Sequence, residues 1–465
     1  MKKVAVSDEI INDVHIAYIG GGSMFWAREL MGDLALEPQL SGIVRLYDID
    51  YDAAKANETI GNSLSDDPLA CGKWVYEVKP TLEETLTGAD FVVISILPGT
   101  FKEMSSDVHA PEKYGIYQSV GDTVGPGGIV RAMRTVPMYI EIAEAIQAFS
   151  PRAWVINYTN PMSVCMGALY SVFPEIKAFG CCHEVFHIQS LMAKMLEPEC
   201  GVVNAGKGDI CFNVLGVNHF TWVDKASYLT NDLMPVFDSF AAKYMESGYA
   251  LSDTDNDPEY PFRNNNKVCF DVYRRFGLIP AAGDRHISEF LPPKYLESPE
   301  TVERYGFTLT KVSYREQMRR SKLEETKAFL SGREKFRLRP SGEEGTEQIK
   351  ALLGLSELIT NVNLPNCGQV AGLPLDATVE TNSMFSKDAV RPVFAGKFPP
   401  VVGAMVSRHA ENQKRIVDAG IRKDIGLAFE VFLSDNLMTI KAADAEELFA
   451  QMLQNTKTYL SGWHI

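Results

Sequence analysis

No run of about 18 consecutive apolar residues occurs in the chain, so no membrane-spanning helix is expected. The stretch MKKVAVSDEIINDV carries two lysines but no apolar core behind them, which argues against a secretory leader. Basic residues are in the minority: 45 lysines and arginines stand against 60 acids, a formal net charge of -15. That balance disfavours nucleic acid or an anionic membrane surface as a partner. A small anionic substrate is still admissible, because a local basic pocket outweighs a distant negative field. The eight cysteines are scattered rather than spaced as a framework, so reduced thiols and a cytoplasmic setting are expected. Internal repeats and low-complexity linkers are also missing.

What is there reads as an ordinary globular protein, with 46% hydrophobic and 23% charged residues. Strands and helices alternate up to about Pro198, and the pattern then changes, which suggests an α/β unit over 1–198 and a second unit over 199–465. Within the first unit, helices are expected over Ala53–Leu64, Val136–Phe149 and Met162–Val172. The near-continuous apolar run Phe91–Thr100 reads as a strand covered on both faces. Phe101–Arg134 reads as a long glycine-rich loop, and a loop of that length is usually functional. Asp122, Arg131 and Arg134 are its candidate substrate contacts. In the second unit, helices are expected over Glu347–Asn361, His409–Leu433 and Ala443–Leu460.

Gly20, Gly21, Gly22 and Ser23 follow a short apolar strand and open a helical segment. Gly20-x-Gly22 in that setting is the dinucleotide-binding arrangement, with the pyrophosphate at the helix N-terminus. The usual third glycine is replaced by Phe25, so the pattern is partial. Asp48, ending the next strand, supplies the carboxylate for the ribose hydroxyls and favours NAD over NADP. A glycine-rich turn followed by a surface acid would look the same.

A thiol, an imidazole and a carboxylate stand side by side in FGCCHEV, at Cys182, His183 and Glu184, and a second imidazole, His219, ends the apolar run ICFNVLGVNH. Cys182 and His219 together suit a borderline divalent cation and leave positions open for substrate oxygens. Two buried core residues are the competing reading. Asn157 and Asn160 stand at a strand's C-terminal end, where parallel sheets bind ligands, although Asn-Pro also serves plain turns. LIPAAGDRHISEFLPP gathers Asp284, Arg285, His286 and Glu289 between apolar flanks.

Taken together, GGGS at Gly20–Ser23, Asp48, GDTVGPGG at Gly121–Gly128, RTVP at Arg134–Pro137, TNP at Thr159–Pro161, CHEV at Cys182–Val185, GVNH at Gly216–His219 and GQVAGLP at Gly368–Pro374 resemble the NAD- and metal-dependent glycosidases of glycoside hydrolase family four. That family is an exception to the two-carboxylate mechanism of most glycosidases. The resemblance implies a Rossmann domain followed by an α+β domain of lactate and malate dehydrogenase type. It also implies Mn2+ on Cys182 and His219, NAD on Gly20, Gly22, Ser23 and Asp48, and substrate contact by Asn160. CHEV resembles the α-galacturonidase branch, with Glu184 as the distinguishing residue; α-glucosidase and α-glucuronidase are the alternatives within the family. The implied chemistry oxidises the sugar at C3, removes the C2 proton, eliminates the glycosidic oxygen, adds water and returns the hydride. His183 is the expected acid for the leaving oxygen, and Arg131, Arg134 or Arg285 the expected partner of a uronic carboxylate. Phospho-sugar members use a tyrosine base in the segment matching LIPAAGDRHISEF, and no tyrosine lies between Gly277 and Lys294. Asp284, His286 and Asp122 are the candidates in its place. Outside the family, a 2-hydroxyacid dehydrogenase and a catalytically silent NAD-binding regulator are the rival readings. A homodimer or homotetramer is implied.

Overall fold

A computed structural model describes residues 2–464. Its centre is a ten-stranded sheet. Six parallel strands, in chain order Ile11–Ile19, Leu40–Tyr47, Lys73–Val78, Phe91–Ile94, Trp154–Asn157 and Lys177–Gly180, lie in the spatial order third, second, first, fourth, fifth, sixth. That is the doubly wound dinucleotide-binding order, with its switch point between the first and fourth strands. The fold is α/β with a Rossmann core. Beyond Lys177–Gly180 the sheet continues antiparallel through Ser356–Pro365, Thr378–Ser386 and Ala389–Pro392, and Lys2–Ala5 pairs with Ser356–Pro365. Strands from beyond residue 198 therefore complete the sheet begun before it.

The period-two alternation of the strands sorts side chains onto two buried faces. Ala17 and Ile19 meet the helices Gly125–Phe149 and Met162–Val172, while Ile16 and Tyr18 meet Trp26–Leu36 and Gly345–Leu353. A smaller antiparallel sheet is built on the hairpin Ile210–Val217 and Phe220–Tyr228. It shares a core with the helix Glu184–Cys200 and the phenylalanines Phe237, Phe240 and Phe270.

Several elements differ from the sequence expectation. The strand expected over Phe91–Thr100 stops at Ile94, and the amide of Ile96 turns to the Thr159 hydroxyl at 2.9 Å instead of continuing the ladder. The long loop is shorter than expected, because Phe101–His109 is a helix closed by a capping box between Thr100 and Glu103. The next helix starts at Gly125, not Val136, with Pro126 in its first turn, where the missing amide is not needed. The helix expected over Glu347–Asn361 ends at Leu353, where Gly354 takes a left-handed cap (φ 90°), and a strand begins at Ser356. His409–Leu433 is two helices, Pro400–Arg422 and Ile425–Ser434, divided at Lys423 (φ 55°) and capped by Asp424. No helix of the described residues is long and apolar enough to cross a membrane.

Candidate active site

The loops that carry Gly20–Ser23, Asp48, Asn160 and Cys182 leave the carboxyl ends of parallel strands, while Asp122 lies between the turn Pro111–Tyr114 and the helix Gly125–Phe149. After Ile11–Ile19, Gly20 turns with φ 92°, and a Cβ there would lie 2.0 Å from the Ser95 carbonyl oxygen. At Gly22 a Cβ would come within 2.8 Å of Ala53 Cβ and 2.9 Å of Asp48 Oδ2. Glycine is thus required at both positions, and the bare backbone forms a cradle ahead of the helix Trp26–Leu36. Asp48 Oδ2 accepts from the Gly22 amide and Oδ1 from the Asp50 amide, each at 2.9 Å. Burial raises the Asp48 carboxyl against those two amides. Ser23 Oγ accepts from the Trp26 amide at 3.1 Å. Behind the loop, the buried Asn57 amide donates to the Gly21 and Ser23 carbonyls at 2.8 and 2.9 Å.

Cys182 lies between the strand Lys177–Gly180 and the helix Glu184–Cys200. His219 occupies the two-residue tip of the hairpin, with φ 64°. An imidazole in the left-handed region is uncommon and points to a functional constraint. The hydroxyl of Thr123 fixes its tautomer. It donates to Asp122 Oδ1 at 2.7 Å, so its contact with His219 Nδ1 at 3.0 Å must be one it accepts. The Nδ1 proton is thereby assigned and the Nε2 lone pair left free. Burial, then the neighbouring His286 imidazole, brings His219 down to about 3, so it is neutral in the way a metal ligand must be. Burial and the carboxylates Glu380 and Glu184 push the Cys182 thiol well up, while the Glu184 amide and the Asn218 side chain oppose them. A divalent cation bound there would reverse that balance by favouring the thiolate. Among the described residues there is no group of three His, Cys, Asp or Glu that could hold a metal. Cys182 and His219 offer one thiol and one neutral imidazole, donor types that suit a borderline cation.

Glu184 is the hub of this region. Its Oε2 lies 3.1 Å from His286 Nδ1 and accepts from the Gly283 amide at 2.9 Å. Its Oε1 lies 4.0 Å from His183 Nε2. Burial alone would raise its carboxyl, but the imidazoles of His286, His183 and His219 outweigh burial and hold it well below the usual range. The rings of His219 and His286 are 4.2 Å apart. Asp122 belongs to the same cluster: burial is overcome by His219, Arg131 and the Thr123 hydroxyl, and its carboxyl is lowered. His183 pairs with Glu343 at 3.1 Å and stacks on Trp26, 5.7 Å between centroids. Burial opposes, but Glu343 and Glu184 raise its imidazole. The Asn160 side-chain oxygen is buried without a hydrogen-bond partner among the described residues. The structure thus brings Asp122, Cys182, His183, Glu184, His219 and His286 together.

Three other candidates are placed differently. Arg134 is fully buried, ion-paired with Asp107, and donates from Nε to the Pro98 carbonyl, so it serves the packing of two helices rather than a ligand. Asp284 accepts from the amides of Val268 and Cys269 at 3.1 and 2.9 Å. It caps the helix Lys267–Phe276 and is not poised as a base, although burial raises it to about 7. Arg285 is tied to Ser119, Thr308 and Thr310. Glu184, the expected substrate contact, meets His286 Nδ1 and the Gly283 amide through Oε2. Sequence reasoning singles out neither Thr123 nor Asn57: the Thr123 hydroxyl sits inside a recognised motif without a distinguishing signal, and Asn57 sits in an unremarkable helix.

Residues 15–198 match the model of family 4 glycosyl hydrolases, and residues 214–438 match that of the family's C-terminal domain. The chain is similar to an α-galacturonidase of Thermoanaerobacterium saccharolyticum, 55% identical over 460 residues that span 99% of each chain. It is also similar to an α-galacturonidase of Bacillus subtilis, 51% identical over 444 residues, 96% of this chain and 98% of that one. The solved structure of the Bacillus subtilis protein lplD superposes with a TM-score of 0.91 at 50% identity, over 95% of this chain and 100% of the other. A 6-phospho-α-glucosidase from gut microorganisms, solved with NAD and Mn2+, shares the fold with a TM-score of 0.80 at 19% identity, over 96% and 99%.

Proposed function

The chain belongs to the family 4 glycosyl hydrolases, and from that membership we propose that it hydrolyses α-galacturonides with NAD and a divalent cation such as Mn2+. The observation that carries the substrate class is identity above one half, over nearly the whole chain, to α-galacturonidases. When bound, NAD supplies reversible oxidation of the sugar, and Mn2+ polarises the oxygens beside the carbon that loses its proton.

The chain's own residues take the remaining roles. Gly20, Gly22 and Ser23 offer bare backbone to the pyrophosphate, and Asp48 accepts from the ribose hydroxyls while repelling a 2′-phosphate. Cys182 and neutral His219 hold the cation, with Thr123 and Asp122 orienting the imidazole from behind. The orphaned oxygen of Asn160 accepts from a sugar hydroxyl. His286 removes the C2 proton: Glu184 fixes its Nδ1 and leaves Nε2 free, the arrangement of an oriented general base. Asp122, its carboxyl lowered, is the weaker base of the two. His183, steadied by Glu343 and Trp26, donates to the leaving oxygen.

Residues 1–198 are the proposed NAD-binding unit and 199–465 the substrate and oligomerisation unit. A reducing cytoplasm suits the eight free cysteines, and a homodimer or homotetramer is the proposed assembly.

The test is a panel of p-nitrophenyl α-galacturonide, α-glucuronide, α-glucoside and α-galactoside, with NAD+, Mn2+ and thiol present. The galacturonide should be turned over fastest, with no net NADH. Strong glucoside turnover without uronide cleavage would remove the substrate assignment, and stoichiometric NADH would point to a dehydrogenase.

A further inference from the structure

The cations around Asp122 differ in what already occupies them. Arg134 is locked to Asp107. Arg131 donates from Nε to the Asn160 carbonyl at 3.1 Å and sits beside Asp122. Arg285 gives Nε to the Thr308 carbonyl at 3.1 Å, and Nη2 to the Ser119 carbonyl and the Thr310 hydroxyl at 2.6 and 2.7 Å. Arg315 is the exception. It lies in the first turn of the helix Val312–Leu330, half-buried, and makes no hydrogen bond or ion pair with any described residue.

Two contacts nevertheless hold Arg315 in place. Its guanidinium carbon lies 4.8 Å from the centroid of the Phe262 ring, and Arg285 stacks on the same ring at 5.1 Å. The two charges feel each other: burial, then Arg315, brings Arg285 down to about 10. Burial likewise lowers Arg315, and Asp122 opposes that from across the cluster. A half-buried guanidinium without a hydrogen-bond acceptor is costly to keep. Such a group is also pre-organised, because ring stacking limits its rotamers and leaves the planar fork available.

We propose that Arg315 is the specificity residue of this site, pairing its guanidinium fork with the carboxylate of the uronic acid. A carboxylate accepts two parallel N–H bonds from such a fork. The hydroxymethyl group of a galactoside at the same place cannot offset the desolvation of the cation. Phe262 and Arg285 then act as support: Arg285 is tied to backbone and holds the ring, and the ring holds Arg315. The assignment rests on the galacturonide reading and deepens it.

The test compares wild type with Arg315→Gln and Arg315→Lys, each loaded with NAD+ and Mn2+, on p-nitrophenyl α-galacturonide. Inhibition by free galacturonate and by galactose, and NAD+ affinity, are measured alongside. In Arg315→Gln the KM for the galacturonide and the Ki of galacturonate should rise at least tenfold. The Ki of galactose and the affinity for NAD+ should stay within twofold. Arg315→Lys keeps the charge but not the fork, and should show a smaller rise in KM with kcat retained. If Arg315→Gln also loses NAD+ affinity, Arg315→Lys decides. A KM within twofold of wild type in a variant that binds NAD+ normally overturns the assignment and leaves the substrate reading intact. A wild-type enzyme that ignores the galacturonide overturns both.

Discussion

At the scale of single residues, the site depends on which proton sits on which nitrogen. Thr123 donates to Asp122 and accepts from His219 Nδ1, so one hydroxyl leaves the Nε2 lone pair free for the proposed cation. Thr123→Val keeps the shape and removes that relay. Its Mn2+ affinity, by calorimetry, should fall roughly 10- to 100-fold, as outer-shell changes at metal sites generally do. An affinity within twofold of wild type would show that the tautomer is set by something else. The residue types of this site are legible in the sequence, because a thiol and an imidazole at two strand ends are unusual chemistry wherever they meet. Their partners are less so. Arg134 and Arg285 look like substrate contacts because an arginine in a polar stretch carries no mark of what waits for it inside. Only the fold reveals that Asp107 and a set of backbone and hydroxyl oxygens have already taken them. Asp284 misleads for the same reason, since its hydrogen-bond donors are amides 16 and 15 residues upstream, in the first turn of a helix that the sequence does not delimit.

At the scale of elements, the glycine loop is held from below. Asn57, on the helix Tyr51–Ser63, donates to Gly21 and Ser23 and accepts from Arg28 Nε at 2.9 Å. Arg28 Nη2 reaches Thr326 on the helix Val312–Leu330 at 2.7 Å, the helix that also carries Arg315. Asn57→Ala leaves two buried carbonyls and a guanidinium without their partner, at about 1–3 kcal/mol. NAD+ affinity should drop about tenfold, by that energy scale, while Mn2+ binding is unchanged. Equal loss of both would mean that the substitution unsettles the whole carboxyl edge. Elements defined by apolar period read well, and Met162–Val172 appears as expected. Phe101–His109 escapes sequence reading because its capping box begins in a Pro-Gly-Thr turn, which looks like loop, and its interior is polar. The helix at Gly125 escapes it because glycines at a buried first turn serve close packing, here against Asp107 and Thr123, and not flexibility.

At the scale of the whole molecule, buried carboxyls set the pH response. Burial raises Asp435 to about 6, Asp284 to about 7 and Glu289 to about 8, in each case against hydrogen bonds from backbone amides. The unfolded chain ionises these groups at ordinary carboxylate values, so across this range the folded chain binds more protons. Their stabilising contribution is full below the unfolded values and is lost as pH rises through the folded ones. Buried His409, lowered to about 4, has the opposite sign: it costs stability only as pH falls below its ordinary 6.5. The metal-free protein should therefore melt at lower temperature as pH rises from about 6.5 to about 8.5, and Glu289→Gln should flatten the upper part of that fall. A flat or rising calorimetric profile would contradict the assignment.

The most direct measurement is a titration of wild type, Cys182→Ser and His219→Asn with Co2+ in the presence of NAD+, followed by the near-ultraviolet thiolate-to-cobalt absorption. Wild type should develop that absorption and saturate at one ion per chain. Cys182→Ser should lack it, and His219→Asn should require far more metal. A band of equal strength and affinity in Cys182→Ser would contradict a cation held between the thiolate and the imidazole beside the dinucleotide.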